Sequence, residues 1–392
     1  MESNGQSLSA VGNRFKREVR MKKDFLCLIV AGVIIVSVVS AGCASDARMG
    51  NASVIDTAPN DYQNGSNKST QSSLVGSSAA NLVAFQQRPL QKLTLTSIDV
   101  GRADTLLLSW PDSSFNAHYM LVDGGTSKDW PLVKASLESK NITHLDAIVC
   151  THEHDDHLNG LIELLKGDTG VGRAYDAGFL LCKKNLPEYP KVQEYLQLLA
   201  DKNVERKIVR AGDEIDTGNP NVIIRVLNPD PDHLIVSPTG NDIEAANANS
   251  IALEITYKDA RFLLMGDTLS SSCAQMKREG YIEQADVLKV NHHGFISGDE
   301  AYKEFLRAVQ PKIAILTCGC YRPDNETQWR CQMSLNVTQL LAPAQVYSSA
   351  CNGEITISTD GTGYPTADYD VTMTKDLPLG VCLSQCTNSC KA

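Results

Sequence analysis

Three of the eight histidines in this chain fall within six positions, in the run Thr151-His152-Glu153-His154-Asp155-Asp156-His157. Neutral imidazole is a good ligand for zinc and related divalent ions, and a neighbouring carboxylate compensates their charge. A His-x-His-x-Asp-His run therefore carries the donors of a metal centre, and the natural chemistry of such a centre is metal-assisted hydrolysis. The opposing reading is a solvated polar loop whose histidines bind nothing. Setting decides between them: the run follows an apolar segment, Leu145–Cys150, that reads as a buried strand. It is followed by Leu158-Asn159-Gly160, which opens a helix and fixes the loop from behind.

Positioning such donors takes a frame, and the hydrophobic pattern supplies one. Strand-like runs are expected at 92–100, 105–110, 119–122 and 145–150, and again at 222–227, 251–257, 261–265, 286–290 and 312–317. Apolar residues at three- and four-residue spacing predict helices at 130–139, 158–166, 191–201 and 300–309. Strand pairs first, then alternating strands and helices, imply an α/β body of two mixed sheets covered by helices. This body runs from about residue 90 to 364, with a cysteine-containing tail at 365–392. His118, before a strand, and His144, at a turn into one, are read as structural rather than ligating.

With the other donors added, the pattern resembles the metallo-β-lactamase superfamily. Asp123 in Leu121-Val122-Asp123-Gly124-Gly125 matches an early strand-end aspartate, and Asp267 closing Phe262–Asp267 matches the late aspartate that bridges two metals in that family. His292-His293-Gly294 matches the final histidine. The resemblance implies the αβ/βα four-layer sandwich. It is nearest to the C-terminal hydrolase domain of the competence protein ComEC. The segment Asp99-Val100-Gly101-Arg102-Ala103-Asp104 is similar to the opening motif of that subgroup, and Leu288-Lys289-Val290-Asn291-His292-His293-Gly294 to its closing one. Arg102, Ala103 and Asn291 depart from it.

Residue roles follow from that resemblance. His152 and His154 would hold metal 1, and Asp156 and His157 metal 2. Asp267 would bridge them, and His293, with His292 as second choice, would be the last ligand. Asp156 and Asp267 are the expected catalytic carboxylates. The implied cofactors are two divalent ions, zinc or manganese, sharing a hydroxide. The family's further histidine for metal 1 has no clear counterpart. Only His233 lies in the interval, and the Asn247-Ala248-Asn249-Ser250 segment offers Asn249 as a weak oxygen ligand. By analogy with the ComEC-like subgroup the expected substrate is a phosphodiester, with Lys289 and Arg102 supplying positive charge to its oxygens. Acyl hydrolysis (of an ester, lactone or β-lactam) is the alternative. A non-catalytic surface-binding lipoprotein with a degenerate metal site is a further one.

Charge and the N-terminal region bear on partners and location. The net charge of −10 disfavours a general binder of long nucleic acid, so a small molecule or short nucleic-acid phosphodiester is expected. No protein partner is implied. Lys22 and Lys23 precede an apolar run, Phe25–Val39, and then Ser40-Ala41-Gly42-Cys43. Basic, apolar, then small residues form a signal-peptide layout, and the last four residues resemble a bacterial or archaeal lipobox. Residues 1–43 are therefore expected to be a signal segment with lipid on Cys43, and Met21 a plausible start; an uncleaved membrane anchor is the other reading. Residues 44–89, rich in Ser, Asn and Gly, read as a flexible stalk. The expected product is an extracytoplasmic, membrane-anchored lipoprotein, whose twelve cysteines permit disulfides among Cys318 and those after it.

Overall fold

The computed structural model describes residues 91–179, 182–230, 232–236, 242–318, 336–362 and 368–376. The expected signal segment, Cys43 and the stalk lie outside them, as do Cys382, Cys386 and Cys390. Among the described residues, fifteen strands form two sheets. The first contains β1 (Leu93–Ser97), β2 (Leu106–Pro111), β3 (Ala117–Val122), β4 (His144–Cys150), β5 (Gly170–Asp176), β6 (Glu205–Ile208), β14 (Ile355–Thr359) and β15 (Asp370–Met373), in the order β15-β14-β1-β2-β3-β4-β5-β6. The second contains β7 (Glu214–Ile215), β8 (Val222–Asn228), β9 (Ala252–Tyr257), β10 (Ala260–Leu264), β11 (Val287–Lys289), β12 (Ile313–Leu316) and β13 (Gln345–Ser348), in the order β13-β12-β11-β10-β9-β8-β7.

Alternation along these strands builds the layers. On β10, Phe262 and Leu264 enter the core between the sheets, while Leu263 faces the opposite way. On β12, Ile313 and Ile315 point inward, and Ala314 and Leu316 outward. On β4, Ala147 and Val149 join the inner core, and Ile148 and Cys150 join the outer one. A strand apolar on both faces must be covered on both. The outer face of the first sheet packs on α1 (Trp130–Ser139), α2 (Asp155–Lys166) and α3 (Tyr189–Asp201). The outer face of the second is covered by α5 (Ser270–Arg278) and α6 (Glu300–Val309). The result is the four-layer helix–sheet–sheet–helix arrangement that the sequence implies.

Two parallel blocks place the site. β3, β4, β5 and β6 run parallel in one sheet, and β10, β11, β12 and β13 in the other. Ligands of open α/β sheets gather at the carboxyl ends of such strands. Asp123, the His152–His157 run, Asp267, His292-His293 and Thr317 follow the carboxyl ends of β3, β4, β10, β11 and β12.

Two expectations shift. The helix after β4 begins at Asp155, not Leu158, so the metal motif itself forms its first turn. Asp155 and Asp156 at that end complement the helix dipole. Before β9 lies a further helix, α4 (Asp242–Ala248), buried through Ala245, Ala246 and Ala248. The body also continues past Tyr364, because β15 pairs antiparallel with β14 at the edge of the first sheet. Alternating polar residues, typical of a half-exposed edge strand, hid it. Of the later cysteines, Cys351 is disulfide-bonded.

Candidate metal centre

The turn after β3 and the helix after β4 meet without intervening side chains. A Cβ on Gly160 would lie 1.7 Å from the carbonyl oxygen of Gly124, and one on Gly124 would lie 2.4 Å from the amide nitrogen of Leu161. Only glycine at both positions permits this approach. The amide of Gly124 donates to the carbonyl of His157 (2.9 Å), and that of Gly160 to the carbonyl of Gly125 (2.8 Å). Asp123 is thereby brought behind the metal motif. Its carboxylate receives the Thr151 amide and hydroxyl at 2.8 and 2.7 Å and sits 2.8 Å from His157 Nδ1. With Nδ1 held there, Nε2 of His157 turns inward.

Asp267 Oδ2 is the hub of the inward-facing nitrogens. Nε2 of His157 lies 3.3 Å away, those of His292 and His293 each 3.5 Å, and that of His152 3.9 Å. Asp156 closes the other side, with Oδ1 3.7 Å from His157 Nε2 and Oδ2 3.5 Å from His293 Nε2. His154 presents Nδ1 2.9 Å from His152 Nε2. Backbone conformation here is unusual. Asp123, His292 and His293 all have positive φ (59°, 48° and 55°), as does Gly266 at 50°. Left-handed backbone costs on the order of 1–3 kcal/mol per non-glycine residue and gathers at functional sites. Here the consecutive left-handed turns bring both adjacent imidazoles to Asp267.

Burial and charge oppose each other within the cluster. Burial disfavours a charge on His152 and holds it well below the usual imidazole value, and it lowers His154 and His292 too. Burial acts the same way on His157 and His293. There, however, Asp267 with Asp123 or Asp104 outweighs it and pushes both well above that value. Burial would raise Asp156 and Asp267, yet the facing imidazoles hold both well below the carboxylate range.

A divalent metal fits this donor set. His152, His157 and Asp267 present ligand atoms within 4.8 Å of one another, and so do Asp156, His157 and His293. Among the described residues, Oδ1 of Asp267 and Nε2 of His157 are buried without a hydrogen-bond partner. Buried polar atoms demand partners, and imidazole nitrogens and carboxylate oxygens are the atom types that can hold a divalent metal.

The structure places the expected residues unequally. His152, His154, Asp156, His157, Asp267 and His293 come together, and His292 joins them instead of competing with His293. Asn249 does not join. Its oxygen accepts from the Ile235 amide (3.0 Å), and its nitrogen donates to the carbonyls of Ile235 (2.6 Å) and Ala245 (2.7 Å). An amide fastened this way has its oxygen turned to the Ile235 amide. The residue of that segment facing the cluster is Asn247, 3.3 Å from His292 Nε2. His233 is 76% exposed and pairs with Asp230. Lys289 is fully buried against Asp104, so it cannot hold a substrate oxygen as expected. Arg102 is half-buried. His118 stacks on Trp110 and bonds Asp146, a structural role. The supporting part of Asp104 was missed: it lies in the quoted opening motif, but nothing in that motif ties it to His293 far along the chain.

Comparison with known proteins bears on this geometry. The sequence model described as the metallo-beta-lactamase superfamily matches residues 116–319. ComE operon protein 3 of Bacillus subtilis is 27% identical over 237 residues, 57% of this chain. That match spans only 28% of the relative's own length. Among solved structures, the metallo-beta-lactamase fold protein YhfI of Bacillus subtilis aligns with TM-score 0.44 and 12% identity over 68% of this chain and 99% of its own. Zinc-bound PqqB of Methylobacterium extorquens aligns with TM-score 0.33 and 12% identity over 50% and 72%.

Proposed function

The chain belongs to the metallo-beta-lactamase superfamily and is a metal-dependent hydrolase, and we propose that it is a two-metal phosphodiesterase acting outside the cytoplasm. The observation that carries the metal chemistry is the convergence of four imidazole Nε2 atoms on Asp267 Oδ2 at 3.3–3.9 Å. His152, His154 and Asp267 would hold one ion, with His292 at the place left open in the sequence. Asp156, His157, His293 and Asp267 would hold the other. Zinc or manganese suits this mixture of imidazole and carboxylate. When bound, the pair supplies a nucleophile at neutral pH and polarises the bond under attack.

The chain's own residues do the rest. Asp123 holds the His157 ring from behind so that its Nε2 points at Asp267. Asp156, partly exposed at the first turn of α2, is the carboxylate best placed to orient an incoming nucleophile. The phosphodiester reading is supported by the likeness to ComE operon protein 3 and the ComEC-like motifs. With Lys289 withdrawn, Arg102 is the remaining cation of those motifs. A small or short substrate accords with the acidity of the chain. The basic–apolar–small segment ending in Cys43 supports export and lipid attachment, and the Cys351 disulfide accords with an oxidising compartment.

The test of substrate class is a panel assay of the metal-loaded chain. It should cleave an activated phosphodiester faster than it opens a lactone or β-lactam; robust lactam or lactone turnover with no phosphodiesterase activity would overturn the reading. The location is tested by fractionation and lipid labelling. Label should appear in membranes and vanish in Cys43→Ala, and unprocessed chain recovered from the cytosol would count against it.

A further inference from the structure

We propose that Lys289 and Asp104 act together as a buried positioning pair that fixes three of the four ligands of the second metal; this rests on the two-metal reading above. Lys289 ends β11 in one sheet, and Asp104 precedes β2 in the other. They form an ion pair with side-chain exposures of 0% and 1%. Asp104 Oδ1 lies 3.1 Å from His293 Nδ1 and accepts from the Thr317 hydroxyl, which is itself 3.1 Å from that nitrogen. The His293 ring is thus held from behind and its Nε2 is aimed at Asp156 and Asp267. The backbone amide of Asp104 donates to the carbonyl of Asp156 (3.2 Å). Lys289 Nζ also approaches the carbonyl of Gly266 (3.4 Å), next to Asp267. One pair therefore touches the supports of Asp156, Asp267 and His293, which come from different parts of the chain.

Stability alone is a poor reason for such a pair, because an apolar pair of similar volume usually serves a core as well or better. Partners behind metal ligands orient them, and their loss typically weakens metal binding about 10–100-fold.

The experiment replaces both partners at once, Asp104→Leu with Lys289→Met, in the full-length chain. Thermal melting and cobalt titration are read together, the second followed by the visible spectrum of the bound ion. The parent should take up two cobalt ions. The double variant should melt close to the parent yet bind its second ion about 10–100-fold more weakly, with an altered spectrum for that ion alone. Unchanged affinity and spectrum in a folded double variant would overturn the proposal and give the pair a purely structural role. Thr317→Val is the milder companion should the double variant not fold. It removes the hydroxyl between Asp104 and His293 at nearly constant volume, and it should also weaken the second ion; parent-like binding would overturn the proposal. A parent that binds no cobalt would instead overturn the metal reading itself, and the proposal with it.

Discussion

The two halves of the metal cluster are built to different standards. On the side of Asp156, His157 and His293, both imidazoles have a buried carboxylate at Nδ1: Asp123 behind His157 and Asp104 behind His293. On the side of His152 and His154 the support is slighter. His152 Nδ1 has the Thr151 hydroxyl at 3.1 Å, and His154 Nδ1 faces His152 itself. The contrast separates what makes a metal site, donors at the right spacing, from what makes it a tight one, groups that hold those donors in place. The second metal should accordingly be held firmly and the first loosely.

The largest effect should come from the residue both halves share. Asp267→Ala should remove both metals and lower hydrolysis by about 10²–10³-fold or more, with an unchanged circular dichroism spectrum. Unchanged activity would end the two-metal account. His154→Ala sharpens the comparison by touching one half only. It should cost one bound ion per chain by elemental analysis and leave the other, and loss of both would show the halves are not separable. Asp123→Ala attacks the support of the other half. It should weaken the second ion about 10–100-fold in a competitive chelator titration. A smaller loss than a Thr151→Val variant inflicts on the first ion would reverse the ranking of the two sides. The smallest effect belongs to Asn249→Ala. Metal content should stay at the parent level while the melting curve reports about 1–3 kcal/mol of lost stability from the hydrogen bonds to Ile235 and Ala245. A lost ion in that variant would restore Asn249 as a ligand.

Legibility in the sequence followed the same division. The donors announce themselves locally, because His152 through His157 lie within six consecutive positions and Asp267 and His293 each follow closely on an apolar strand. The strands with apolar residues on both faces, β4, β10 and β12, were equally plain. Supports were harder to see. Asp104 and Thr317 meet His293 only because the start of β2 lies beside the ends of β11 and β12, and no local pattern records a contact between residues 213 positions apart. Lys289 misled for a related reason. A cation beside a metal motif suggests a phosphate clamp, and only three-dimensional packing shows it buried against Asp104. Asn249 is offered as a ligand because composition does not reveal which asparagine of that segment faces the cluster. Edge strand β15 went unseen because its exposed face breaks up the apolar run.

The most direct test of the account is metal stoichiometry under graded chelation. The full-length chain, reconstituted with zinc or manganese and cleared of excess, should hold two ions per chain. A weak chelator should strip one of them, with the retained ion lost in an Asp156→Ala variant but kept in His154→Ala. A reconstituted chain without bound metal would contradict the central claim that these histidines and carboxylates form a metal centre.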